Sequence, residues 1–377
     1  VWVHAVSVGE VYAVAPIVKE LHKARPNVRI VVSTITQTGH ETAKKAIPEA
    51  KTYVILPFDF RFSIQRIFRL GVPSLVIFSE GDIWPMFAHE AKRRGACIAL
   101  VNGKISDRTV SRLHWLDVIG QWLYSYVDIF CVQNQTFYDH FRQFHVPQKA
   151  LHVTGNTKAD VTFPLLSIQE KEAFRAMLGL KETDSLIVLA STHSPEEEEL
   201  LPRLLPLTQS LSHAKIAIVP RHPERFSEVY RRTKELCPSV ALLSAYDGSL
   251  NWDVMVVDKL GMLTKIYQVA TIAIVCGSFT DRVGGHNILE PAAVGSCVLV
   301  GPYMHSQPTL YQSATEAQAV LQVTFDTAAQ TVEHLLKDED FRKSASSKAF
   351  HWAESLRGAT SRTVGVLLEE AEKSWEK

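Results

Sequence analysis

Short apolar runs alternate with helical stretches along this chain, stop near its middle, and then start again. The first series covers residues 1–6, 29–33, 52–56, 74–78, 97–101 and 129–132; the second covers 186–190, 216–219, 241–243, 254–257, 272–276 and 297–300. Between them the spacing is helical, as in residues 13–24, where Val14, Ile17, Val18 and Leu21 recur at intervals of three and four. Strands alternating with helices require right-handed crossovers and a parallel sheet. A chain of 377 residues, 46% of them hydrophobic, is too long for one ordinary core. Two doubly wound α/β domains are the simplest account, with a cleft between them as the default ligand site.

The boundary is expected between Gly155 and Leu166, where Gly, Asn, Thr and Pro164 interrupt the periodicity. That gives a first domain over residues 1–160, a second over 161–345, and a helical tail over 346–377 packing back toward the first. Lys plus Arg and Asp plus Glu number 40 each, so no global field draws the chain to nucleic acid or membrane, and anion binding must come from local placement. Five cysteines without a C-x-x-C spacing suit a reducing compartment, and Cys97, Cys131, Cys276 and Cys297 stand in or beside apolar runs as small buried hydrophobes. No apolar run reaches the ~18 residues that span a bilayer.

The second half carries the most informative stretch, G-G-H-N-I-L-E-P-A-A at 284–293, set between the runs at 272–276 and 297–300. Strand, glycine turn, short helix, strand is its natural reading. Two glycines let backbone approach an anion, a helix start points N–H groups at it, and Glu290 is placed to grip ribose hydroxyls. A tight turn capped by Asn287 is the plainer alternative. Arg221, in P-R-H-P-E-R at 220–225, offers a planar fork to a phosphate. The loop at 258–263 offers backbone to a pyrimidine edge. A-S-T-H-S at 190–194 reads as a capped helix start, and the acidic run at 196–199 as a solvated face.

In the first half, H-A-V-S-V-G-E at 4–10 ends a strand and enters a helix. Glu10 is then either a base for an attacking hydroxyl or a carboxylate stabilising the helix start. One glycine there is too few for a dinucleotide fingerprint. Glu80 and Asp82, in S-E-G-D-I-W-P at 79–85, lie where ligands bind a parallel sheet, with metal ligation a weak reading for lack of partners at ligand spacing. Lys158, in G-N-T-K-A-D at 155–160, either neutralises a leaving anion or is a solvated surface lysine. Phe58, Phe60 and Phe62, with Arg61, Arg66, Arg69, Arg108, Arg112, Trp115 and Trp122, form either a basic-aromatic surface for an anionic lipid or half-buried strand and helix faces.

Taken together and in this order, these segments resemble the 3-deoxy-D-manno-octulosonic acid (Kdo) transferases over essentially the whole chain. The resemblance implies a GT-B glycosyltransferase fold of two Rossmann-like domains. It implies CMP-Kdo as donor substrate, a lipid A precursor (lipid IVA) as acceptor in lipopolysaccharide biosynthesis, inversion at the anomeric carbon, and no metal or other cofactor. It places the enzyme at the cytoplasmic face of the inner membrane of a Gram-negative cell, held by an N-terminal anchor that would precede Val1. By matching motif positions, Glu10 is implied as general base, and Glu80 and Lys158 as stabilisers of the transition state. Pro220, Arg221, Leu260, Gly261, Met262, Asn287, Ile288, Leu289 and Glu290 are implied as CMP contacts.

Three departures from the family pattern matter. The usual E-T-E is Glu80-Gly81-Asp82, which leaves the role of Asp82 open. The usual M-G-E-L is Leu260-Gly261-Met262-Leu263, so only backbone contacts transfer. The usual G-N-L-K-F-D carries Thr157 and Ala159 and keeps Lys158. Two competing functions share the architecture: a sugar-nucleotide epimerase, and a non-catalytic relative that holds nucleotide or lipid.

Overall fold

The computed structural model describes residues 1–56, 58–69, 71–114, 117–160, 165–211 and 213–375. Trp115 and Pro164, singled out above, lie outside the described residues. The chain forms two units, Val1–Val161 with Leu356–Lys377, and Thr162–Ser355.

In the first unit the apolar runs become β1 (Trp2–His4), β2 (Val31–Thr34), β3 (Thr52–Ile55), β4 (Leu75–Ser79), β5 (Cys97–Gly103) and β6 (Ile129–Val132), joined by β7 (Leu151–Val153). They pair in parallel in the order β3-β2-β1-β4-β5-β6-β7. Successive side chains leave opposite faces. Trp2 therefore joins a core with Val76, Phe78 and Phe87, while Val3 joins another with Val14, Ile17 and Ile77. The helix Val8–Ala24 buries Val11, Val14, Ile17, Val18 and Leu21, the stripe its spacing announced.

The second unit repeats the plan with β8 (Ser185–Thr192), β9 (Ala214–Pro220), β10 (Val240–Leu242), β11 (Val254–Val256), β12 (Ile272–Val275), β13 (Cys297–Val300) and β14 (Leu321–Gln322). Their order is β10-β11-β9-β8-β12-β13-β14, again parallel. Chain order reverses between β1 and β4 in one sheet and between β8 and β12 in the other. The carboxyl ends of those strand pairs are where an open parallel sheet receives ligands. All five cysteines are buried and free.

The strands β7 and β14 escaped the sequence reading. Each lies at the end of its sheet, is three residues or fewer, and carries a side chain exposed to solvent, so neither shows a sustained apolar run. The tail also divides later than residue 346. The helix Glu339–Ser355 packs on β13 and on the helix Leu289–Ala293, burying Ala349, Trp352 and Ala353, and Trp352 Nε1 donates to Ser313 Oγ at 3.0 Å. Only the helix Ala359–Trp375 lies in the first unit, with Val364, Leu367 and Ala371 in the core that holds Val3. Among the described residues no helix is long and apolar enough to cross a membrane.

Candidate active site

At the carboxyl end of β1, Ser7 caps the helix Val8–Ala24 by accepting the N–H of Glu10 at 3.3 Å. The Glu10 carboxylate folds back over that turn, accepting the Val6 N–H at 3.0 Å and the Ser7 hydroxyl at 3.1 Å. Only 5% of the residue is exposed. Burial, reinforced by the charges of Asp82 and Glu80, raises its carboxyl to about 7 against the two hydrogen bonds that lower it. An acid that titrates near neutrality is matched to accepting a proton there.

Glu80 follows β4, next to β1 in the sheet, and holds a left-handed backbone (φ 61°) unusual for a residue with a side chain. Its Oε1 accepts from Lys158 Nζ at 2.5 Å and its Oε2 from Lys104 Nζ at 2.6 Å. Burial pushes the Glu80 carboxyl up, but the two ammonium groups outweigh it and hold the group below its usual value. Lys158 is thus paired rather than loose in solvent, and the Glu80 oxygens face ammonium groups, not a metal-ligand set. Among the described residues no group of three or more His, Cys, Asp or Glu converges as metal ligands.

The G-N-T-K-A-D turn exists to aim that lysine. Gly155 has φ 100°, and a Cβ there would stand 3.0 Å from Ala359 Cβ. Asn156 Oδ1 accepts the Lys158 N–H, and the Thr157 hydroxyl donates to the Ala13 carbonyl inside the first helix. Asp160 accepts the N–H groups of Gly358 and Thr360, capping the final helix. Lys104 and Asn102 went unnoticed in the sequence. Asn102, left-handed at φ 51°, accepts the Thr157 N–H and lies 3.5 Å from Glu80. Their signal was present: N-G-K directly follows an apolar run at a strand's carboxyl end.

The second unit corrects two expectations. The acidic run is no solvated face, because Glu196 and Glu197 are buried. Glu196 accepts the N–H groups of His193 (2.9 Å), Gly277 (2.8 Å) and Phe279 (3.1 Å), pinning the turn after β8 to the turn after β12. Glu197 accepts the Thr192 hydroxyl at 2.6 Å and both arms of Arg225. The helix Glu196–Ser210 begins with Pro195 and no side-chain cap, so A-S-T-H-S is not a capping segment. Ser191, left-handed at φ 56°, coincides instead with a register break between β8 and β9.

The paired glycines also differ from an open anion cradle. The Gly285 N–H is spent on the Gly277 carbonyl at 2.7 Å, and the Gly284 and Gly285 carbonyls both accept from the Ser306 hydroxyl. A Cβ on Gly284 would meet the His305 ring at 2.6 Å, and one on Gly285 would meet Met304 Sδ at 2.2 Å. Close packing against residues 303–306 requires both glycines. The helix Leu289–Ala293 is five residues long, too short to gather a substantial dipole.

Around this turn stand the remaining candidates. Asn287 accepts the Leu289 N–H at 3.0 Å and donates to Glu290 Oε1 at 3.1 Å, orienting that carboxylate. Burial raises the Glu290 carboxyl, with Asn287 and the Arg221 charge opposing. Ile288 is fully buried, which leaves its backbone alone to meet a ligand. Pro220 ends β9, Arg221 donates its N–H to Thr192 O at 3.2 Å, and the side chain of Arg221 is exposed. Leu260 is exposed, Gly261 is left-handed at φ 76°, and Met262 precedes the helix Leu263–Tyr267.

Residues 1–161 match the family model described as 3-Deoxy-D-manno-octulosonic-acid transferase (kdotransferase). The 3-deoxy-D-manno-octulosonic acid transferase of Chlamydia trachomatis serovar A is 32% identical over 97% of this chain and 85% of the relative. The chain belongs to the Kdo transferase family. Its counterpart in Chlamydophila psittaci is 37% identical over 82% of the chain and 71% of the relative. The Haemophilus influenzae transferase is 29% identical over 97% of the chain and 86% of its own length. The protein is accordingly a glycosyltransferase of the Kdo class. UDP-GlcNAc 2-epimerase from Neisseria meningitidis superposes with a TM-score of 0.68 over 98% of the chain and 100% of the epimerase, at 14% identity. That likeness is one of fold, and it bears out the expected GT-B architecture of two Rossmann-like units in this Kdo transferase.

Proposed function

We propose that this Kdo transferase moves Kdo from CMP-Kdo to a lipid A precursor of the lipid IVA type by direct, inverting displacement. Glu10 takes the proton of an acceptor hydroxyl as its oxygen attacks the anomeric carbon, and CMP departs from the opposite face. The observation that carries this reading is the Glu10 carboxyl itself: buried, held in place by Val6 and Ser7, and brought to about 7. Glu80 orders Lys104 and Lys158 beside it, and that pair of ammonium groups supports stabilisation of charge developing on the reacting sugar.

In the second unit the nucleotide takes the backbone at Leu260, Gly261 and Met262, the segment Asn287, Ile288, Leu289 and Glu290, and Pro220 with Arg221. Glu290, oriented by Asn287, accepts from the ribose hydroxyls, and Arg221 meets the single phosphate. Side-chain cations acting on one phosphate support transfer without a divalent ion. Phe58 and Phe60 are 63% and 64% exposed on either side of Asp59, which accepts the N–H groups of Met86 and Phe87 at the start of the helix Pro85–Arg93, and Phe62, in the helix Arg61–Ile67, is 75% exposed. They are not half-buried, and with Arg61, Arg66 and Arg69 they favour a lipid acceptor presented at the cytoplasmic face of the inner membrane. Incubating purified protein with CMP-Kdo and lipid IVA and weighing the product by mass spectrometry tests the reading. One Kdo mass added per CMP released is expected; CMP-Kdo consumed with no gain in lipid mass refutes it.

A further inference from the structure

At the switch point of the second sheet two imidazoles face each other with no carboxylate between them. His193 follows β8, His286 follows β12, and their Nε2 atoms stand 2.8 Å apart with the rings nearly parallel at 15°. A hydrogen bond between two such atoms requires one to carry the proton and the other to offer its lone pair. Two features hold the arrangement. The Glu196 carboxylate binds the N–H groups of both His193 and Gly277, and Gly277 lacks the Cβ that would stand 2.9 Å from His286 Nε2.

The surroundings are short of negative charge. His222 lies edge-on to His193 at 5.2 Å. Arg221 acts on His193, His286 and Glu290 alike, so these groups converge on one locus, yet among the described residues its guanidinium forms no ion pair. Arg225 is neutralised by Glu197, Glu196 is committed to three backbone donors, and Glu290 is bonded to Asn287. Burial first, then the neighbouring cations, lower both imidazoles, His286 to about 4. Of the glycine turn, the Gly285 N–H is already spent within the loop.

We propose that His193 and His286 bind the phosphate of the departing nucleotide together with Arg221, sharing one extra proton that enters with the dianion and leaves with it. This rests on the reading that the second unit holds CMP. In the transfer the sugar C–O bond to phosphate breaks, its electron pair stays on the phosphate oxygen, and the phosphate charge goes from −1 to −2. The acceptor proton goes to Glu10. The proton on the imidazole pair comes from solvent and returns there when CMP leaves, so nothing is oxidised or reduced. The empty pair is uncharged and tolerates Arg221 and His222; the dianion reverses the sign of the local field and makes the shared proton favourable.

Isothermal titration calorimetry of CMP into the full chain, at pH 7.5 in buffers of different ionisation enthalpy, tests this. Uptake of about one proton per CMP is expected, with affinity falling by up to ~tenfold per pH unit between 7 and 8.5, above the second phosphate ionisation near 6. Cytidine, which lacks phosphate, should bind without uptake. His193→Gln and His286→Gln should each bind CMP more weakly with no uptake and a flat pH profile. CMP bound by the wild type without proton uptake, or uptake unchanged in both variants, overturns the proposal. Absence of uptake in the wild type overturns the proposal by itself, so a variant that fails to fold leaves that arm intact. If folded wild-type protein binds no CMP at any pH, the donor-site reading itself falls, and this inference with it.

Discussion

Lys158 Nζ lies 2.5 Å from Glu80 Oε1, a contact made across 78 positions of sequence. It ties the end of β4 to the turn after β7, and Lys104 completes the grip from the end of β5. Gly9, in the first turn of the helix that presents Glu10, lies beside that of Lys158, which stands 3.8 Å from the place of a Cβ, an ordinary contact distance. The acid at the end of β1 and the cations that flank it are therefore parts of one assembly.

Lys158→Ala leaves Glu80 with Lys104 alone. If the ammonium stabilises developing charge, kcat should fall by roughly 10²–10³-fold while CMP affinity stays unchanged. Steady-state kinetics with a parallel CMP titration checks both, and a loss confined to CMP affinity would assign Lys158 to the donor instead.

Glu10 sets the expected pH profile. Its carboxyl titrates at about 7, so the transfer rate should rise about tenfold per pH unit on the acid side and level off above that point. Glu10→Gln should remove transfer and leave CMP binding intact. Stability moves oppositely: a carboxyl raised above its unfolded value binds more protons in the folded state, so stability falls as pH climbs from about 4.5 through about 7. Glu10→Gln should escape that fall, and urea unfolding at pH 5 and pH 8 measures the difference.

Glu196→Ala strands three backbone donors, those of His193, Gly277 and Phe279, around a side chain that is fully buried. Each orphaned donor costs ~1–3 kcal/mol, so a loss of roughly 3 kcal/mol or more is expected in chemical denaturation. A loss under about 1 kcal/mol would mean that solvent reaches those groups.

Gly285→Ala forces a side chain into a left-handed backbone at φ 87° and sets its Cβ against Met304 Sδ. Thermal unfolding should show a loss of ~1–2 kcal/mol from the backbone plus a steric term. Measured against Met304→Ala as the parent chain, Gly285→Ala should lose the backbone part without the clash against Sδ. No loss at all in that parent would show that φ carries no cost here.

Twelve of the strands and the stripe of the first helix could be read from residue order, because a strand buried on both faces must be apolar and an amphipathic helix must be periodic. Glu10 and Glu80 were legible for a similar reason: charged residues shortly after an apolar run sit where a parallel sheet opens, whereas Lys158 was marked only by the G-N-T-K-A-D segment that carries it. Glu196 and Glu197 were not. Four consecutive glutamates describe a solvated surface unless backbone N–H groups wait for them, and those belong to a turn some eighty residues away. The paired glycines likewise signalled backbone freedom without saying what pressed against them; His305 and Met304 do.

Sequence by itself determined the buried strands of both sheets, most of the residues at their carboxyl ends, and the family to which the chain belongs, since these follow from local order and residue type. Tertiary structure alone decided the protonation of Glu10, the double lysine grip on Glu80, and the meeting of His193 with His286. Each depends on burial and on charges brought together from distant strands, and an electrostatic energy is fixed by distance and surrounding medium, neither of which is written in residue order.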